Sequence, residues 1–143
     1  MILYLSSLPI GTMRKIEEQM LQALERCIYS ASFSGQAMRS ANTQVWQMQS
    51  GIVGTTSYNR WIEVILHETV IALIQPDIMQ LTLYTGGWHS RTTSSRIEAI
   101  LSRWGVGWHV NLSKGQLYLR KDSWSDGERE PLSEGYQLAI VQA

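Results

Sequence analysis

One cysteine is all that the 143 residues contain. Cys27 has no partner for an intrachain disulfide, which excludes a disulfide-stapled scaffold and points to a reducing compartment. Net charge is missing too. Twelve basic residues offset 12 acidic ones, and the pI is about 6.8. Proteins that bind nucleic acid through bulk charge carry a basic excess, so nucleic acid is an unexpected partner unless a local basic patch exists. No apolar run reaches the length of a membrane span. The opening MILYLSSLPIGT is apolar but short and has no basic n-region, so neither a signal peptide nor a membrane anchor is predicted, and the expected location is the cytoplasm. Chemistry-bearing motifs are scarce as well. There is no H-x-x-x-H, no cysteine pairing for zinc, no G-x-S-x-G elbow and no phosphate-loop glycine pattern. His67-Glu68, His89 and His109 are the only histidine-centred candidates for a metal, and their spacing supports none. Glu63, Glu68 and His89 have no arrangement that requires acid–base work. The segment D-S-W-S-D-G lacks the full EF-hand ligand set. No metal, cofactor or enzymatic activity is implied.

What is present suits one folded domain. Hydrophobic residues make up 44% of the chain and charged ones 17%, enough for a core without metal or disulfide support. Six tryptophans are a high number for this length, so some are expected to line an interface or pocket. Residues 13–28 read as a helix with Ile16, Met20, Leu24 and Cys27 on its apolar stripe and Thr12 as N-cap. Residues 30–40 are small and polar and read as a connection. Strand-like runs follow at 43–49, 60–67 and 69–75, the last two forming either one bent strand or two. Pro76-Asp77 marks a turn before an alternating run at 81–85. A second helix spans 95–104 and stops at Gly105. Residues 106–112 alternate cleanly, Ser113-Lys114-Gly115 makes a hairpin turn, and Leu117 and Leu119 continue on the return strand. Residues 121–131 form a charged loop, and a last strand covers 136–141. The order predicts an α+β fold: a single domain with a mainly antiparallel sheet, an N-terminal helix and a second helix after the central strands.

The stretch GGWHSRTTSSRIEAIL, residues 86–101, carries more polar chemistry than a scaffold needs. Ser95 and Glu98 fit an S-x-x-E capping box, and Ile97, Ile100, Leu101 and Trp104 form a core stripe. That accounting leaves Trp88, Arg91, Thr92, Thr93 and Arg96. A helix N-terminus offers free N–H groups to an anion, hydroxyls add donors, and arginine in a first turn finds its reason in a phosphate. Trp88 is placed to stack on a base, with His89 beside it.

Here the chain resembles a group of small phage-encoded proteins. They open with an M-R-K-I-E-x-x-M-L-x-A helix, continue with N-T-x-V and L-H-x-x-x-I-A strands, and carry G-W-x-[ST]-x-T-T-x-S-R-[LI]-x-A-[IL]-L. The counterparts are MRKIEEQMLQAL from Met13, NTQVW from Asn42, ILHETVIALI from Ile65 and GWHSRTTSSRIEAIL from Gly87; QLYLRKDSW and LSEGYQL extend the likeness weakly. By this resemblance residues 1–12 are an extension and 13–143 the domain. Within the group, the chain is similar to phage anti-Thoeris sponge proteins, oligomers that sequester cyclic ADP-ribose isomers made by TIR-domain enzymes and in some cases also hold cyclic oligonucleotides. The resemblance implies a phage-encoded anti-defence protein, a homo-oligomer in the host cytoplasm, that binds a nucleotide-derived signalling molecule without catalysis. It implies that Arg91, Thr92, Thr93 and Arg96 take the phosphates and Trp88 the base, with Arg60 or Asn59, from a neighbouring strand or subunit, reaching a ribose. Relatives often carry Asn where Glu98 stands, which bears on ligand choice if that Asn binds. The alternatives are a phage accessory protein that binds a host protein or nucleic acid and, less favoured, a small nucleotide-processing enzyme.

Overall fold

The computed structural model describes residues 14–143; the expected N-cap Thr12 lies outside them. The first described helix, α1, is Lys15–Tyr29. It buries Met20, Leu21, Leu24 and Cys27 completely or nearly so. Burying an aliphatic side chain of this size stabilises by about 1.5–3 kcal/mol, which holds an otherwise polar helix on the sheet. Burial pushes the Cys27 thiol above its ordinary range although Arg26 and Arg60 stand nearby, so this cysteine packs rather than reacts.

Nine strands are described, five before the second described helix, α2 (Arg91–Trp104), and four after it: β1 Gly35–Ser40, β2 Thr43–Ser50, β3 Asn59–Leu66, β4 Thr69–Gln75, β5 Gln80–Leu83, β6 Trp108–Ser113, β7 Gln116–Lys121, β8 Glu130–Pro131 and β9 Tyr136–Ala139. Six form one antiparallel sheet in the order β1-β2-β3-β4-β5-β9, and β6-β7-β8 form a second. The fold is α+β with mainly antiparallel sheet. Both helices pack on one face of the large sheet, where Val45, Ile62, Val64, Ile74, Leu81 and Leu83 are buried. On its other side α2 meets β6, and Val110, Leu117 and Leu119 close that half of the core. Trp124 reaches back from the charged 121–131 segment to meet the Trp108 ring edge-on at 5.5 Å. Tyr136 meets the same ring at 6.0 Å and donates its hydroxyl to Glu130 at 2.5 Å. Burial first, and the Glu130 carboxylate second, push the Tyr136 pKa up to about 12.

Several boundaries differ from the sequence reading for identifiable reasons. The polar run at 30–40 is a connection only in its first half, because Gly35–Ser40 is an edge strand whose partner, β2, supplies what its own pattern lacks. The runs on either side of His67 are two strands rather than one. His67 and Glu68 both adopt left-handed backbone, with φ of 49° and 68°, and so make a primed two-residue turn without glycine. His67 therefore sits in a turn, not in a strand. The second helix starts at Arg91, about one turn earlier than expected. Gly105 ends it as expected, its N–H bonded to the Leu101 carbonyl at 2.9 Å.

Candidate functional site

The chain leaves β5 through Thr85, Gly86 and Gly87, and a distant carboxylate fixes that exit. Glu134, just before β9, accepts from the Thr85 N–H at 2.9 Å, the Gly86 N–H at 2.6 Å and the Thr85 hydroxyl at 2.5 Å. Burial alone would raise the Glu134 carboxyl. The bonds from the Thr85 hydroxyl and the Gly86 and Thr85 N–H groups, with His89 close by, outweigh it and hold the pKa below the ordinary value. Gly86 is required by space as well as by its φ of 63°, since a Cβ there would lie 2.5 Å from the Thr69 methyl. The turn closes with the Trp88 N–H on the Thr85 carbonyl at 3.0 Å, and the Trp88 side chain is left 70% exposed.

His89 Nδ1 accepts the Leu117 N–H at 2.9 Å and ties the loop to β7. Ser90 is the N-cap of α2, accepting from the Thr93 N–H at 3.1 Å, with the two hydroxyls 3.0 Å apart. The capping box expected at Ser95 and Glu98 does not form. Ser95 lies inside the helix and donates to Glu17, while Glu98 accepts the Val110 N–H at 2.8 Å and fastens α2 to β6. With Ser90 as cap, the N–H groups of Arg91 and Thr92 have no acceptor within the helix.

These residues meet the β3–β4 turn across a cleft of about 460 Å³. Leu66 and Ile71 supply apolar wall, and Thr69, Thr85, Ser90, Thr92 and Thr93 supply hydroxyls. Trp88 and His67 complete the lining. Of the expected site residues, Trp88, Thr92 and Thr93 are thus brought together. Arg91 is exposed between two of the lining residues in the chain but does not itself line the cleft.

The two remaining arginines are corrections. Arg96 is 1% exposed and lies in the second turn of α2, not the first. Its Nη1 is 2.7 Å from Glu17 Oε2, its Nε donates to Thr43 Oγ1 at 3.1 Å and its Nη2 to Asn42 Oδ1 at 3.3 Å. Each of the three guanidinium nitrogens donates within the fold, joining α2 to α1 and the start of β2, and the buried side chain does not line the cleft. Arg60 is 7% exposed and serves the other end of α1. It donates to the Cys27 carbonyl at 2.9 Å, the Ile28 carbonyl at 3.1 Å and Gln47 Oε1 at 3.0 Å, and pairs with Asp77 at 3.3 Å. The Cys27 and Ile28 carbonyls belong to the last turn of α1, where no i+4 N–H continues the helix; that of Cys27 also accepts the Ser30 N–H at 3.4 Å. Arg60 and Asn59 begin β3 while Leu66 ends it, roughly 20 Å away at the rise of a strand, so neither reaches the cleft of its own chain.

Sequence reasoning missed Glu17, Glu134, Thr69, Thr85 and the Leu66–Ile71 wall. Glu17 reads as one more charge on a polar helix face, and a single glutamate at 134 has no local pattern that announces a loop 48 residues away. His109 is a further case: its ring nitrogens lie 3.1 Å from Glu98 and 2.8 Å from Asp122, a bridge between α2 and the β7 end. Among the described residues no group of three His, Cys, Asp or Glu side chains could hold a metal ion, and no helix is long and apolar enough to cross a membrane.

The model of the Kyanoviridae Gp96 protein family matches residues 13–139. The chain belongs to this phage family. The Gp96 match takes in both described helices, all nine described strands and every residue that lines the cleft. The Glu17–Arg96 pair and the Glu134 latch also fall within the Gp96 span. No curated protein and no solved structure matches the chain.

Proposed function

We propose that this phage protein binds and sequesters a nucleotide-derived immune signal, of the cyclic ADP-ribose class, in the cleft beside Trp88, and does no chemistry on it. The observation that carries this reading is an exposed indole at the edge of a 460 Å³ cleft that opens beside the N-terminus of α2. That volume is in the range that holds a small ligand. Stacking of a base on an indole contributes about 1–3 kcal/mol, a sufficient reason for a tryptophan left 70% in water. The unpartnered N–H groups of Arg91 and Thr92, the Thr92 hydroxyl and the exposed Arg91 guanidinium suit a pyrophosphate. The motif resemblance, with the phage family, supplies the ligand class. His67 is the one titratable side chain in the lining, which suits a holder better than an acid–base catalyst. Assembly as a homo-oligomer belongs to the same proposal.

A thermal-shift screen with cyclic ADP-ribose isomers tests it. A ligand present at 100 times its Kd stabilises by about 2.7 kcal/mol, and it should be recovered intact after heating. Recovery of cleaved ligand makes the protein an enzyme, and no shift with any nucleotide sinks the proposal. A second reading, an accessory protein that binds a host protein, draws on the β2–β3 loop, where Ile52 and Val53 are each 72% exposed.

A further inference from the structure

The large sheet has two faces, and both helices cover the same one. On the other, the strand register sets Trp46 opposite Glu63, Glu63 opposite Leu73 and Met48 opposite Trp61. Ile65 and Val70 are paired one step along. No helix or second sheet among the described residues packs over them; all are half-buried, with Tyr84, Gly86 and Glu134 bordering Glu63, Val70 and Leu73 at one side. A sheet apolar on both faces needs a second cover, because each face left in water forfeits its burial free energy.

We propose that this uncovered face is the interface of a homodimer, in which the six-stranded sheets of two copies stack face to face. Three features favour a second copy over another partner. The first is size. Six strands spaced about 4.8 Å apart and about six residues long project to roughly 600 Å², of the order of the ~800 Å² per partner that a stable complex buries. The second is polarity. The face is rimmed by Gln36, Gln44, Gln75, Gln80 and Gln137, whose amides both donate and accept and so match their own copies across a two-fold axis. Glu63 is the one charge on the face of β2, β3 and β4. It overlooks a concavity of about 330 Å³ shared with Val70, Leu73, Tyr84, Gly86 and Glu134, where water can remain around the two carboxylates.

The third is that the tryptophans bring no unmet donor. The Trp46 indole N–H donates to Gln44 at 2.9 Å and that of Trp61 to Glu63 at 3.0 Å, so both rings can leave water without stranding a polar atom. The interface uses neither Trp88 nor the cleft, and it stands whether or not a nucleotide binds there.

Light scattering on the full chain, over a dilution series from high to low micromolar concentration, tests the proposal. The wild type should give twice the 16.3 kDa chain mass and dissociate on dilution, with tryptophan emission shifting to the red. Leu73→Arg and Val70→Arg should each give one chain mass with an unchanged circular dichroism spectrum. Ile52→Ser, in the exposed loop, should remain a dimer. A wild type at one chain mass throughout overturns the proposal. So does a folded arginine variant that stays dimeric, or a mass that halves on dilution with no change in emission. If both arginine variants fail to fold, the wild-type dilution series decides alone.

Discussion

Arg96 is the residue at which the motif and the fold part company. A guanidinium near a helix start looks like an anion clamp, but here it is buried against Glu17 at 2.7 Å. Removing one member of a buried ion pair strands the other, which costs about 3–5 kcal/mol. Arg96→Ala is therefore expected to lower stability by that amount in chemical denaturation, and Glu17→Gln to lower it too. Neither should alter ligand affinity in the fraction that remains folded. Glu134 acts at the same scale through pH. Its carboxyl is held below the ordinary value, so its stabilisation is fully present above the pKa of an unfolded glutamate, about 4.3, and fades as pH falls through the folded value. Measured as Tm against pH, wild type should exceed Glu134→Gln at neutral pH, and the gap should narrow as pH falls below about 4.3.

At the scale of elements, what was legible in the sequence follows from periodicity. The stripe Ile97, Ile100, Leu101 and Trp104 marks α2, and the alternation around Val110 marks β6; both signals are local and both elements form. β1 and the start of α2 were not legible because neither is decided locally. Gly35–Ser40 becomes a strand through pairing with β2, and Ser90 wins over Ser95 as N-cap because Ser95 is drawn to Glu17 across 78 residues. The cleft was half legible. Its α2 side lies in one motif, while its Leu66–Ile71 side arrives only when the sheet forms. The turn between β3 and β4 had no glycine to announce it, and Glu68 adopts left-handed backbone at a cost of about 1–2 kcal/mol. Glu68→Gly should then raise the Tm by a few degrees, after its own entropic cost of about 0.5–1 kcal/mol. An unchanged or lower Tm would mean that the Glu68 side chain contributes something beyond its backbone.

At the scale of the molecule, one side of the large sheet packs the two described helices, and the other, which no described helix covers, is the face proposed to meet a second copy. The cleft opens beside the β3–β4 turn, with the exposed Trp88 in its lining. The Glu134 latch and the His89 bond to β7 hold its loop in place before any ligand arrives, so little ordering entropy remains to be lost on binding. Fluorescence titration of the wild type and of Trp88→Ala with a cyclic ADP-ribose isomer tests this account most directly. Trp88→Ala removes an exposed side chain and should leave stability within about 0.5 kcal/mol of wild type. The account predicts saturable quenching in the wild type, and affinity weakened at least tenfold in Trp88→Ala, the equivalent of about 1.4 kcal/mol. Equal affinity in the two proteins, or no saturable binding in the wild type, would contradict it.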